Sequence, residues 1–271
     1  MDLKKRCKIS FKDFFLNLLS AFDIEKNETR TIAFTGAGGK STIMYKLAVQ
    51  LAKKEKTVLV TSTTMIFHPK IKSRPFNYFF TDKAESLINQ ISSKKGTITV
   101  VGSEITAEGR KIKGFPPEEL AVIQNSGLFD IILVEADGSK GKPIKAPAEH
   151  EPVIPFNTDI VVGIIGIDSL GTKINMENVH RPEIFIKITG SDMNGIIGTD
   201  LIRKLIISPK GIFKNTSTKS RKIVILNKSD TSELILKAKN IAENISGCTN
   251  IERIIITSMT VNNPVIAVIT L

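Results

Sequence analysis

Gly36-Ala37-Gly38-Gly39-Lys40-Ser41-Thr42 follows the short apolar run Thr31–Phe34 and opens the apolar-periodic stretch Ile43–Leu51. A strand, a glycine-rich turn and a helix beginning on Lys-Ser-Thr form a phosphate site with a clear physical logic. Glycines let the backbone approach an anion closely and adopt positive φ. The first N–H groups of the helix point at the phosphates, and its dipole favours their negative charge. Lys40 would reach the β/γ-phosphates as a catalytic cation, and the Ser41 hydroxyl would ligate Mg²⁺. Gly36, Ala37, Gly38, Gly39, Lys40, Ser41 and Thr42 are therefore the predicted phosphate-binding residues. The spacing is G-x-x-G-K-S-T, shorter than G-x-x-x-x-G-K-[ST], whose first glycine would fall on Phe34. The shorter loop looks like that of Mur-type ligases.

Working outward, strand and helix patterns alternate, which predicts an α/β fold with a mostly parallel central sheet covered on both faces. We expect a P-loop NTPase-like three-layer sandwich. Strands are expected at 31–35, 57–61, 97–101, 130–135, 159–165, 222–226 and 252–257, with 265–271 adding an edge strand. Helices are expected at 41–53, from Asp82 and Glu85 to about 93, at 116–125, 182–188, 199–205 and 232–245. Residues 138–156 hold four prolines and no periodicity, so they read as a long ordered loop. Residues 1–25 form a basic amphipathic preface, with a capping box at Ser10–Asp13 and Phe11, Phe14, Phe15, Leu18, Leu19 and Phe22 on one face. It is expected to dock on residues 26–271, which show no linker and read as one nucleotide-binding domain.

The second chemical signal is the buried run Asp130–Glu135 leading into Ala136-Asp137-Gly138. A strand ending in carboxylates is what a P-loop enzyme uses to hold Mg²⁺ or orient water. Side chains alternate along a strand, so Glu135 and Asp137 share a face. Both are candidate catalytic and metal-binding residues alongside Ser41, and the sequence does not choose between them. The third signal is Val224–Leu226 running into Asn227-Lys228-Ser229-Asp230, the N-K-x-D pattern by which GTPases read guanine. Asp230 can accept from guanine N1–H and the exocyclic amine, a donor pair that adenine lacks. Asn227 can tie the base or the neighbouring loop, and Lys228 can lay its stem across the ring. The next strand ends in Thr257-Ser258-Met259, where GTPases place a backbone contact to the guanine oxygen, so Ser258 joins the predicted base site.

The remaining features weigh less. Thr61-Ser62-Thr63-Thr64 could serve the metal or cap a loop. Arg110, Lys111 and Lys113, and the trio Lys140, Lys142 and Lys145, could neutralise phosphate charge. His150 and His180 stand beside carboxylates and could act as bases or ligands, and Arg181 follows His180; His68 reads as structural. The net charge of +11 suits an anionic partner, but no aromatic-interleaved basic patch exists, so nucleic acid is disfavoured. The longest apolar run, Val161–Ile167, is interrupted by Gly163 and Gly166, so no transmembrane segment is expected. Cys7 and Cys248 have no ligand spacing, and no secretory leader is evident, which together predict a reduced, cytoplasmic setting.

With these pieces assembled, the chain resembles the YqeC family of selenium-dependent hydroxylase accessory proteins. The resemblance covers nearly everything after Glu28. It rests on T-G-A-G-G-K-S-T at 35–42, T-S-T-T at 61–64, V-E-A-D-G-S-K at 134–140 and K-A-P-A-E-H-E-P-V-I-P at 145–155. G-I-D-S-L-G at 166–171, V-H-R-P-E at 179–183 and L-N-K-S-D at 226–230 complete it. The resemblance implies a role in maturing a selenium-dependent molybdenum hydroxylase, with that hydroxylase or another maturation factor as partner. The residues themselves point to a Mg²⁺-dependent nucleotide-binding protein, GTP favoured as substrate. The alternatives are an ATP-dependent kinase or ligase, or a non-enzymatic scaffold with a degenerate phosphate loop.

Overall fold

The structure is a computed structural model, and it describes residues 17–24, 30–67, 75–92, 94–106, 109, 111–245 and 250–271. In chain order its elements are α1 (Leu18–Phe22), β1 (Thr31–Gly36), α2 (Lys40–Lys53), β2 (Val58–Ser62), β3 (Met65–Phe67), β4 (Phe76–Phe80) and α3 (Ala84–Gln90). Then come β5 (Ile98–Gly102), β6 (Lys111–Lys113), α4 (Pro117–Ser126), β7 (Ile131–Glu135), β8 (Ile144–Lys145), β9 (Ile160–Gly166) and β10 (Val179–His180). The chain ends with α5 (Pro182–Thr189), α6 (Thr199–Ile207), β11 (Arg221–Asn227), α7 (Ser232–Ile245), β12 (Arg253–Thr257) and β13 (Val265–Thr270).

Among the described residues nine strands form one sheet in the order β13-β12-β11-β9-β1-β7-β2-β5-β4, in which only β13 runs antiparallel to its neighbour. The apolar runs of the inner strands are buried on both faces, as a parallel sheet requires. Alternation divides them. Ile32, Phe34, Val58, Val60, Leu133, Val162 and Ile164 face α2 and α1. Val161, Ile165, Val224 and Leu226 face α5, α6 and α7, while Leu59, Ile132 and Val134 face α3 and α4. This is an α/β three-layer sandwich of the P-loop NTPase-like kind.

Of the N-terminal preface, Leu18–Phe22 is described, and Leu18, Leu19, Ala21 and Phe22 are buried in the α2 layer. Asn17 caps this turn, Arg221 donates to Phe22 O, and Arg253 pairs with Asp23 at 2.7 Å. The capping box at 10–13 lies outside the described residues, as do Cys7, Cys248, His68 and Arg110.

Two readings of the sequence are corrected. The helix expected from an Asp82–Glu85 cap begins at Ala84 and ends at Gln90. Its first amides are met by other groups: Glu119 accepts from Ala84 N at 2.7 Å and Thr81 Oγ1 accepts from Lys83 N. Phe76–Phe80, for which no strand was expected, adds a parallel edge strand beside β5. No helix among the described residues is long and apolar enough to cross a membrane.

Candidate functional site

β1 is central in the sheet, between β7 and β9. Its carboxyl end therefore opens where ligands enter α/β sheets. Gly36, Gly38 and Gly39 have φ of 87°, 90° and 122°. A Cβ on Gly36 would lie 2.3 Å from Ile164 O, and one on Gly38 would lie 2.2 Å from Gly166 N. Both clashes are with backbone, so the tight loop demands glycine here. The Ala37 amide donates to Ile164 O, and Asn227 Nδ2 donates to Gly38 O at 2.7 Å. Asn227 is fixed in turn by Thr257 Oγ1 at 2.8 Å. Of the two roles open to Asn227, the structure places it on the neighbouring loop.

At the start of α2, the Lys40 ammonium is buried. It donates to Gly36 O at 2.6 Å and lies 3.1 Å from Asp137 Oδ1 and 3.7 Å from Glu135 Oε1. Burial opposes its charge, but Asp137 and Glu135 outweigh burial and hold its pKa above the ordinary lysine value. The Ser41 hydroxyl donates to Glu135 Oε2 at 2.7 Å. Burial pushes the Glu135 carboxyl up, with Lys40 and Ser41 opposing it.

The two acids thus share a face but differ in surroundings. Asp137 does not touch Ser41. Its Oδ2 accepts from Gly36 N at 3.1 Å and lies 3.1 Å from Lys145 Nζ. Glu135 is the carboxylate beside Ser41, and Asp137 is held between Lys40 and Lys145.

From Asp137 the charges continue. Lys145 is fully buried, donates to Gly138 O and Glu151 Oε2, each at 2.7 Å, and so anchors the proline-rich loop. Arg181 closes the chain with a two-pronged pair to Glu151. The parallel pairing of β8 with β10 sets His180 beside Lys145 and aims Arg181 back at the loop. Burial opposes the charge of Glu151, but hydrogen bonds from Arg181 and Lys145 bring its pKa down to about 2. Burial, then Arg181 and Lys145, lower His180 to about 4, so its ring is neutral at pH 7. Lys145 was expected only as a phosphate neutraliser, and Glu151 had no assigned role. His150 is exposed at the loop tip.

These pKa values predict how stability responds to acid. An unfolded histidine takes up its proton near 6.5, while folded His180 waits until about 4. Folding stability should fall across that window, and again from about 4.5 towards 2 as Glu151 resists protonation. Glu135, with its raised pKa, acts in the opposite sense. The unfolding midpoint in urea, followed from pH 8 to 4, should drop less in His180→Gln than in the parent. Equal slopes in the two proteins would refute the assignment.

A cleft of about 870 Å³ opens over these groups. Gly38, Gly39, Lys40, Ser41, Thr42 and Glu135 form its floor, and Thr64, Lys111, Lys140, Lys142, Arg181 and Lys228 lie around it. Of the hydroxyl stretch, Ser62 donates to Glu135 O and Thr63 to Val153 O, leaving Thr64 as the member that lines the cleft. Lys113 points elsewhere, to Glu104 at 3.3 Å.

Two strands away, β11 ends in the Asn227–Asp230 motif. Lys228 Nζ pairs with Asp168 Oδ2 at 2.7 Å at the cleft edge. Asp230 is exposed, and Ser258 Oγ donates to its Oδ1. The Ser258 amide donates to Pro264 O at 2.9 Å, and its hydroxyl meets the motif at Asp230.

A central parallel sheet whose first strand feeds a glycine loop and a Lys-Ser helix start defines the P-loop NTPase-like class. Within it, the chain belongs to the YqeC family. The family model described as YqeC protein matches residues 32–183. A relative from Escherichia coli strain K12, called "Uncharacterized protein YqeC", is 35% identical over 202 residues, covering 74% of this chain and 77% of its own.

Proposed function

We propose that this chain binds a Mg²⁺–nucleoside triphosphate, prefers guanine, and hydrolyses the nucleotide as an accessory factor in maturing a selenium-dependent molybdenum hydroxylase. The client rests on the motif resemblance. The nucleotide rests on one observation: the glycine loop, Lys40 and the Ser41–Glu135 pair converge at the start of α2 on the floor of the cleft. Loop amides and the helix N-terminus would take the phosphates. Lys40 would exchange Gly36 O for a phosphate oxygen, with Asp137 keeping the ammonium charged and aimed.

The donor set suits magnesium. Ser41 Oγ and Glu135 Oε2 are hard oxygens 2.7 Å apart beside the loop. Magnesium commonly takes one or two protein oxygens and completes its shell with phosphates and water. No cluster of three or more acidic, histidine or cysteine side chains among the described residues offers a cage for another metal. When bound, the ion would neutralise phosphate charge.

The test is a competition panel of GTP, ATP and their diphosphates against a fluorescent guanine nucleotide, with and without Mg²⁺. Lys40→Ala should weaken triphosphate binding at least about tenfold, because a charge-assisted hydrogen bond contributes roughly 1.5–3 kcal/mol. Glu135→Gln should reduce the gain in affinity that Mg²⁺ confers. Unchanged triphosphate affinity in a folded Lys40→Ala protein would sink the phosphate site, and parent preference for ATP would favour a kinase or ligase.

A further inference from the structure

We infer that the cleft holds a second subsite, between the Ser139–Lys142 turn and Arg181, for the phosphate group of a small-molecule substrate distinct from the nucleotide. The inference deepens the proposed function and uses it in one respect: it assigns the floor of the cleft to the nucleotide phosphates.

Room comes first. Small-ligand pockets run from about 300 to 1,000 Å³. This cleft has about 870 Å³, and its lining includes neither Asp230 nor Ser258. Of the predicted base site only Lys228 reaches the lining, at the cleft edge, and the volume stands near the upper end of that range.

The chemistry of the far wall comes second. Lys140 is exposed and has no ion pair among the described residues. Lys142 Nζ donates to a neutral acceptor, Glu177 O, at 2.6 Å, so its charge is not cancelled. Arg181 gives two of its five N–H groups to Glu151 and stays 23% exposed at the cleft. Against these cations stands Glu183; Glu151 is already neutralised by Lys145 and Arg181. His180 adds a neutral ring that can donate to an anion without repelling a cation.

The backbone holds two of these cations in fixed turns. Lys140 and Arg181 both have left-handed backbone, with φ of 50° and 65°. Non-glycine residues held this way cluster at functional sites. Arg181 also caps α5, its carbonyl accepting from Ile184 N and Phe185 N, which fixes the residue in the cleft wall. The Ser139–Lys142 turn is fixed against the phosphate loop: Gly166 N donates to Pro143 O, and a Cβ on Gly38 would lie 2.8 Å from that oxygen. The two anion sites are thus neighbours on one rigid frame.

The probe is inorganic phosphate, titrated calorimetrically into the full chain saturated with Mg²⁺ and a non-hydrolysable GTP analogue. The parent should bind phosphate at one site. Lys140→Glu, which breaks no described ion pair, should weaken that binding at least tenfold and leave nucleotide affinity within about twofold. Arg181→Lys, which can keep one bond to Glu151, should do the same to a smaller degree. A nucleotide-loaded parent that takes up no phosphate overturns the subsite. Variants that weaken nucleotide as much as phosphate also overturn it, because the cations would then serve the nucleotide itself. Should the chain bind no nucleotide, the proposed function fails on its own, and phosphate titrated into Lys40→Ala with and without Lys140→Glu reads the subsite separately. Equal uptake by those two proteins would end the inference as well.

Discussion

Lys145→Met should destabilise the fold by about 3–5 kcal/mol, the usual cost of removing one partner from a buried ion pair. The Lys145 side chain is 0% exposed and lies 2.7 Å from Glu151 Oε2 and 3.1 Å from Asp137 Oδ2. Methionine matches its volume and flexibility. The change therefore removes a charge without opening a cavity; it leaves Asp137 to Lys40 and Glu151 to Arg181, one buried cation short, and strands the Gly138 carbonyl. The same replacement at exposed Lys140, which has no ion pair among the described residues, should fall within about 0.5 kcal/mol of the parent. Urea unfolding of both variants provides the measurement. A cost below about 1 kcal/mol for Lys145→Met would mean that the proline-rich loop is held by packing and not by its charges.

That network explains why part of the site could be read from the sequence and part could not. The glycine loop is local. An apolar strand, three close glycines and Lys-Ser at a helix start lie within twelve residues, and β1 and α2 fall within a residue of their expected bounds. Glu135 was likewise legible as an acid ending a buried strand. What separates it from Asp137 is a contact 94 residues away in sequence, the hydroxyl of Ser41. Glu151 meets Arg181 across 30 residues and Lys145 across six, inside a loop with no periodicity. Prolines mark such a loop, but nothing in their spacing says which charges will meet when it folds.

The fold divides the same way. Strands with continuous apolar runs, such as Ile160–Gly166, announce themselves because both faces are buried. Met65–Phe67 and Lys111–Lys113 pair in an isolated ribbon of three residues each, too short for a pattern to emerge. Phe76–Phe80 lies at the sheet edge, where one flank has no strand neighbour among the described residues, and its burial is mixed. Asn227 shows how the two kinds of information combine. Its motif leaves it to tie either a base or the neighbouring loop, and its geometry ties the glycine loop to β11.

Asp230→Asn should move the preferred nucleotide from GTP to XTP. The prediction rests on the guanine reading proposed above, with Asp230 at the end of β11 and its Oδ1 braced by the Ser258 hydroxyl. In that reading the carboxylate accepts from guanine N1–H and from the exocyclic amine. Xanthine carries a carbonyl where guanine has the amine, so it sets an acceptor against a carboxylate. Asparagine offers one acceptor and one donor, which matches xanthine and mismatches guanine. A stranded polar group costs roughly 1–3 kcal/mol once desolvated. Exchanging a good pairing for a bad one should therefore shift the XTP/GTP ratio by about a hundredfold. Asp230 is exposed, so the fold should tolerate the change. The measurement is displacement of one labelled nucleotide by GTP, XTP and ATP, on parent and variant. A variant that keeps the parent's ranking would reduce Asn227–Asp230 to a turn ahead of α7, because a carboxylate that pairs with the base cannot lose an acceptor without changing what the site selects.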